Sequence, residues 1–94
     1  IVSCYVVSMD SNIAKISKIL KKLNSVDKIE LFLNEILTEK ELSVLSKRWQ
    51  ILTMLNEGSS QREIAKKLNV SLCKITRGAK ILKNDKSICK KCLE

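Results

Sequence analysis

The sequence predicts an all-α protein of about five to six helices built around a helix-turn-helix. Three observations carry that expectation. Proline is absent and only two glycines occur in 94 residues, so little interrupts a helical run. Apolar residues recur at three- and four-residue spacings in almost every segment. Helix-start signals, a Ser or Thr three residues ahead of a Glu, stand where two of those runs begin.

The elements follow in order. Residues 1–10 form a poorly defined N-terminal segment, and residues 11–94 a single helical domain. "IVSCYVVSM" is apolar but short, with no basic start and no small-residue cleavage site, so it does not read as a signal peptide. Its first eight residues fit upstream sequence as well as they fit protein. "CYVV" has the composition of a strand stub, but a single strand has nothing to pair with. Over 11–24 a stripe of Ile13, Ile16, Leu20 and Leu23 predicts a helix, with Ser11 or Asn12 as its cap. A second helix is expected over 26–37. Thr38 and Glu41 form a capping box with Leu37 as its staple, opening a long helix from Glu39 to Glu57. Leu42, Leu45, Trp49 and Leu52 line one stripe of it, and Trp49 reads as dimer core. Gly58 ends it. Ser60 and Glu63 cap a short helix carrying Ile64, Ala65 and Leu68. "NVS" turns the chain, Ser71 caps the next helix, and a last one spans about Lys86 to Leu93.

Composition narrows the function. Apolar residues make up 45% of the chain, enough for a globular core, yet a chain this small buries a modest share of its surface. The first three helices have wide apolar faces, so a homodimer is expected. No apolar run reaches the length of a membrane span. The net charge is +8, and it is not spread evenly. From Ser59 onward ten basic residues face only Glu63, Asp85 and Glu94, which suits a partner carrying phosphates. There is no His, and the four cysteines, Cys4, Cys73, Cys89 and Cys92, read as reduced thiols of a cytoplasmic protein rather than as a metal site. No paired buried carboxylates and no glycine-rich phosphate loop are evident, so no catalytic residue is assigned and an enzyme is not expected.

The stretch from Gln61 to Gly78, "QREIAKKLNVSLCKITRG", fits a helix-turn-helix, with the whole motif spanning about 61–83. Ala65 is small where the two helices approach. Asn69 occupies the turn, where a left-handed backbone is required. Ile64, Leu68, Val70 and Ile75 supply the apolar corners. Gln61 and Ser71 stand at helix N-termini, where they can meet phosphates. Leu72, Cys73, Lys74, Thr76 and Arg77 point outward on the second helix, which suits the major groove.

From about Leu33 to Lys83 the sequence resembles the tryptophan repressor family. The residues that carry the likeness are "LTEKEL" (37–42), "SKRWQIL" (46–52), "GSSQREIA" (58–65) and above all "ITRG" (75–78). The resemblance implies an intertwined helical homodimer that binds free L-tryptophan as corepressor and then a palindromic double-stranded DNA operator. It implies that Arg48 and Arg77 sandwich the indole ring and that one of them pairs with the carboxylate, chemistry that suits guanidinium. It places Thr38 beside carbonyls that accept from the ammonium, and Gly78 against the ligand, where a missing Cβ leaves room. Ile81 joins this ligand set, although the family has Ser there; Lys74 likewise replaces a family Thr. For DNA the resemblance assigns phosphate contact to Gln61, Arg62, Ser71 and Lys80, and base readout to Leu72, Cys73 and Lys74, with Thr76 beside them. The expected function is a sequence-specific transcriptional repressor needing no cofactor beyond that corepressor. Two alternatives stand beside it: a ligand-independent DNA-binding regulator of the same group, which Ile81 and Lys74 favour, and a helical protein-interaction module.

Overall fold

The computed structural model describes the backbone of residues 2–94 and the side chains of residues 12–94. Ile1, the side chains of residues 2–11, and with them the readings of Cys4 and of the first eight residues, lie outside that set. The described chain is all helical, with six helices and no strand: α1 (Val2–Leu23), α2 (Val26–Ile36), α3 (Glu39–Asn56), α4 (Gln61–Leu68), α5 (Leu72–Lys83) and α6 (Ile88–Leu93). It divides into two compact units, residues 1–38 and 39–94.

In the first unit α1 packs against α2. The helix begins at Val2, so "CYVV" is helical rather than a strand stub, and positions 11 and 12 lie in the interior of the helix rather than at its start. Helical hydrogen bonding satisfies this backbone within its own segment, whereas a lone strand could not. Asn24 takes a left-handed backbone, φ 45°, and ends α1. None of the described side chains of α1 or α2 is buried. Ile13, Val26, Leu31 and Ile36 are each more than half exposed. Two helices in this condition have too little burial to be stable alone.

The second unit holds the core. Ile51, Ile64 and Ile75 meet at its centre, with Ile64 and Ile75 at 0% exposure, and Met54, Leu55, Ala65, Leu68 and Val70 pack around them. One Ile comes from each of α3, α4 and α5, so the helix-turn-helix is fastened to the long helix through a single apolar cluster.

Local signals set the joints. At the end of α3, Gly58 has φ 97°. Its N–H donates to the Leu55 carbonyl at 3.1 Å, and the Ser59 N–H donates to Met54 at 3.0 Å, the paired bonds of a Schellman motif. Ser60 then caps α4 with a complete box. Glu63 N–H donates to Ser60 Oγ at 3.2 Å, and Ser60 N–H donates to Glu63 Oε1 at 3.3 Å. Bonds from the Ser60 side chain and then its backbone hold the Glu63 carboxyl below its ordinary pKa. Any stability from this carboxylate is therefore present at neutral pH and is lost as pH falls through that lowered value. Ser60→Ala should destabilise the protein by about 1 kcal/mol, measured as a lower urea midpoint at unchanged slope.

Asn69 closes α4 with φ 54° and ψ 51°. Its own N–H and that of Val70 both fold back to the Ala65 carbonyl. Ser71 sits at the start of α5 but makes no side-chain cap bond, contrary to expectation. Only its carbonyl takes part, accepting from the Lys74 N–H at 3.2 Å. The last helix starts at Ile88 rather than about Lys86, because Asn84 Oδ1 accepts from the Lys86 N–H in a turn and Ser87 supplies the cap. It packs against α3 and α5, and Lys90 pairs with Asp85 at 3.2 Å.

Candidate ligand pocket and nucleic-acid interface

Two surfaces of α5 gather the residues singled out from the sequence. The first is a cavity of about 280 Å³ between α3 and α5, near the lower end of small-molecule pockets. Ile51 and Leu52 form its apolar wall on α3, with Gly78 and the half-buried Ile81 on α5. Its cations are Arg48, Lys74 and Arg77, and Cys73 completes the lining. Arg48 comes from one helix and Arg77 from the other, an arrangement able to hold a flat apolar group between two guanidinium planes.

Four of the five residues assigned to a ligand meet here: Arg48, Arg77, Gly78 and Ile81. Thr38 is not among the lining residues. It is the last residue of the first unit and stands immediately ahead of α3.

The structure adds a reason for Gly78 to the one that the sequence suggests. A Cβ at this position would lie 3.1 Å from Ile51 Cγ2 and 3.3 Å from Leu55 Cδ1. The vacant space is therefore already occupied by α3, and the glycine serves first to let α5 approach it. Its bare backbone contributes to the cavity as a consequence of that approach.

The second surface is a shallow depression on the outer side of α5, lined by Leu72, Cys73, Thr76, Arg77 and Lys80. Gln61, Arg62, Ser71 and Lys74 are also exposed. Ser71 has its hydroxyl uncommitted to capping, at the N-terminus of a twelve-residue helix, where backbone N–H groups favour an anion. Thr76 is more restricted, since its hydroxyl donates to the Leu72 carbonyl at 2.9 Å and only its lone pairs remain to accept.

Arg77 and Cys73 border both surfaces. Lys74, assigned to base readout and noted as replacing a family Thr, stands in the wall of the cavity. Ile51 and Leu52 were not assigned to a ligand at all. Their positions three and four residues after Arg48 on the same helix are the signal that places them beside it.

A family description, "Trp repressor protein", matches residues 11–94. The chain belongs to the Trp repressor family. Trp operon repressor homologs from Xylella fastidiosa strains M23, Temecula1 and 9a5c are each 48% identical to it over 69 residues, covering 72% of this chain and 75% of theirs. No solved structure matches the chain significantly. Membership of the Trp repressor family makes the protein a transcriptional repressor rather than an enzyme. Among the described residues no helix is long and apolar enough to cross a membrane.

Proposed function

We propose that the protein is a homodimeric, sequence-specific DNA-binding repressor that takes L-tryptophan as corepressor in the cavity between α3 and α5. The observation that carries this reading is the double use of α5. One helix presents Leu72, Thr76 and Lys80 outward, with Ser71 just ahead of it, and through Arg77 also borders the cavity. A ligand held there adds contacts between α3 and α5. It thereby favours the one placement of the reading helix in which the cavity is formed, a shift of population rather than a new structure.

The homodimer is supported by the apolar faces that one chain leaves open. Leu45 and Trp49 on α3 are 48% and 45% exposed, and the first unit has no buried side chain among those described. A second copy covering these faces would bring two copies of α5 to one duplex, about one helical turn of DNA apart.

The reading is tested by footprinting the DNA upstream of the protein's own gene with and without L-tryptophan. A protected palindrome that strengthens with tryptophan is the expected result. Protection indifferent to tryptophan would select the ligand-independent regulator, and the absence of any protection would remove the DNA reading. Affinity should fall about 10³-fold or more between 50 and 200 mM salt, as expected for a dimer neutralising about six phosphates or more. Fluorescence anisotropy measures the slope.

A further inference from the structure

We propose that the depression on the outer side of α5 reads thymine through its C5-methyl group, with the Leu72 side chain and the Thr76 methyl as the contacting atoms. This rests on the DNA reading above and names the base feature that it uses. Leu72 is the first residue of α5 and is 52% exposed, while the inner side of the same helix is buried at Ile75 and Gly78. An apolar side chain held in water on the charged side of a helix gains from any apolar group that covers it. Thr76 stands one turn on, on the same side of the helix. Its hydroxyl donates to the Leu72 carbonyl at 2.9 Å, which turns the oxygen to the backbone and leaves the methyl as the free end of an exposed side chain. Leu72, the Thr76 methyl and the exposed Cys73 thiol together give the depression an apolar floor.

The rim of the depression says what covers that floor. Arg77 and Lys80 border it, and Ser71, Gln61 and Arg62 stand exposed at the starts of the two helices. An apolar floor inside a cationic rim matches the major groove, where phosphates line the edges and the thymine methyl is the apolar feature between them. The N-terminal residues of a reading helix are the ones that meet base edges, and Leu72 and Cys73 are the first two of α5. The contact also discriminates against other bases. Cytosine presents an amino donor and guanine two acceptors in the same groove, and Leu72 would take water from either without returning a hydrogen bond.

The test begins with duplexes selected from a random pool by the full chain, with L-tryptophan supplied. The thymines of the strongest duplex are then replaced by deoxyuridine one position at a time, which removes the methyl and keeps the base pair. Affinity is followed by fluorescence anisotropy. At the contacted position each lost methyl should weaken binding about fourfold, the worth of one buried methylene, and about tenfold or more when both half-sites are changed. The salt slope should stay the same, since no phosphate contact is lost. Leu72→Ala should weaken binding to the thymine duplex and narrow the preference over deoxyuridine at one such position to about twofold or less. Circular dichroism checks that this variant is folded. Affinity indifferent to deoxyuridine at every position overturns the inference and leaves the DNA reading standing. A Leu72→Ala variant that weakens both duplexes alike, keeping the full preference, also overturns it. Failure to select any duplex overturns the inference together with the DNA reading.

Discussion

Ile75→Ala should destabilise the protein by about 3 kcal/mol, the middle of the range for emptying a fully buried branched site. Ile75 is at 0% exposure and meets Ile51 and Ile64, so truncation leaves a void that three helices must share. The surroundings cannot collapse easily, because α4 is fixed at one end by the Ser60–Glu63 box and at the other by left-handed Asn69. Small domains are stable by only about 5–15 kcal/mol, so the loss is a large fraction of the whole. Urea unfolding followed by circular dichroism measures it, with Ile75→Val as the control at about 1 kcal/mol. An effect below 1 kcal/mol for the Ala variant would mean that this cluster is not the core. DNA affinity should fall with stability, since Ile75 holds α5 to the rest of the unit.

Arg77→Ala should weaken L-tryptophan binding by about 100-fold, as expected when one charge-assisted contact and one ring-stacking contact are lost together. The same variant should weaken DNA and reduce its salt slope by about one, because Arg77 borders the outer surface as well as the cavity. Arg77→Lys separates the two roles. The ammonium keeps the charge, so the salt slope should return, but it lacks the planar stacking face and bidentate geometry, so ligand affinity should stay low. Ligand titration by calorimetry and anisotropy across salt provide the two readouts. Wild-type ligand affinity in the Ala variant would exclude Arg77 from the cavity's chemistry.

The parts of this fold that could be read in advance are those decided by neighbours in sequence. Gly58, the Ser60–Glu63 box and Asn69 each act through hydrogen bonds reaching six residues or fewer, so type and spacing sufficed to place α3, α4 and their turns. Ser71 is the exception that shows the limit. It has the right residue type at the right position, and yet its side chain makes no cap bond. Ser11 and Asn12 likewise carry a cap's chemistry in the interior of α1.

What sequence alone could not reveal depends on how α5 lies against α3. Lys74 was legible as a basic residue on an outward face, but its place in the cavity wall depends on the approach of a helix more than twenty residues upstream. The role of Gly78 turned on the same approach. A missing Cβ reads equally well as room for a ligand and as room for a neighbouring helix, and the positions of Ile51 and Leu55 show the second of these at work. Arg48, Arg77, Gly78 and Ile81, each singled out in the sequence, line the cavity; Ile51 and Leu52 line it too without having been singled out, and Thr38 is not among its lining residues.

The contact at Gly78 limits how this repressor can reshape the cavity between α3 and α5. A Cβ there would meet Ile51 Cγ2 at 3.1 Å and Leu55 Cδ1 at 3.3 Å, so either those side chains give way by a few tenths of an ångström or α5 shifts. Ile51 is itself 2% exposed and has little room to yield. Ile81 lines the same cavity from α5 and is not among the residues assigned to DNA, so on the proposed reading it is the position where the cavity can be reshaped with least effect on the outer surface.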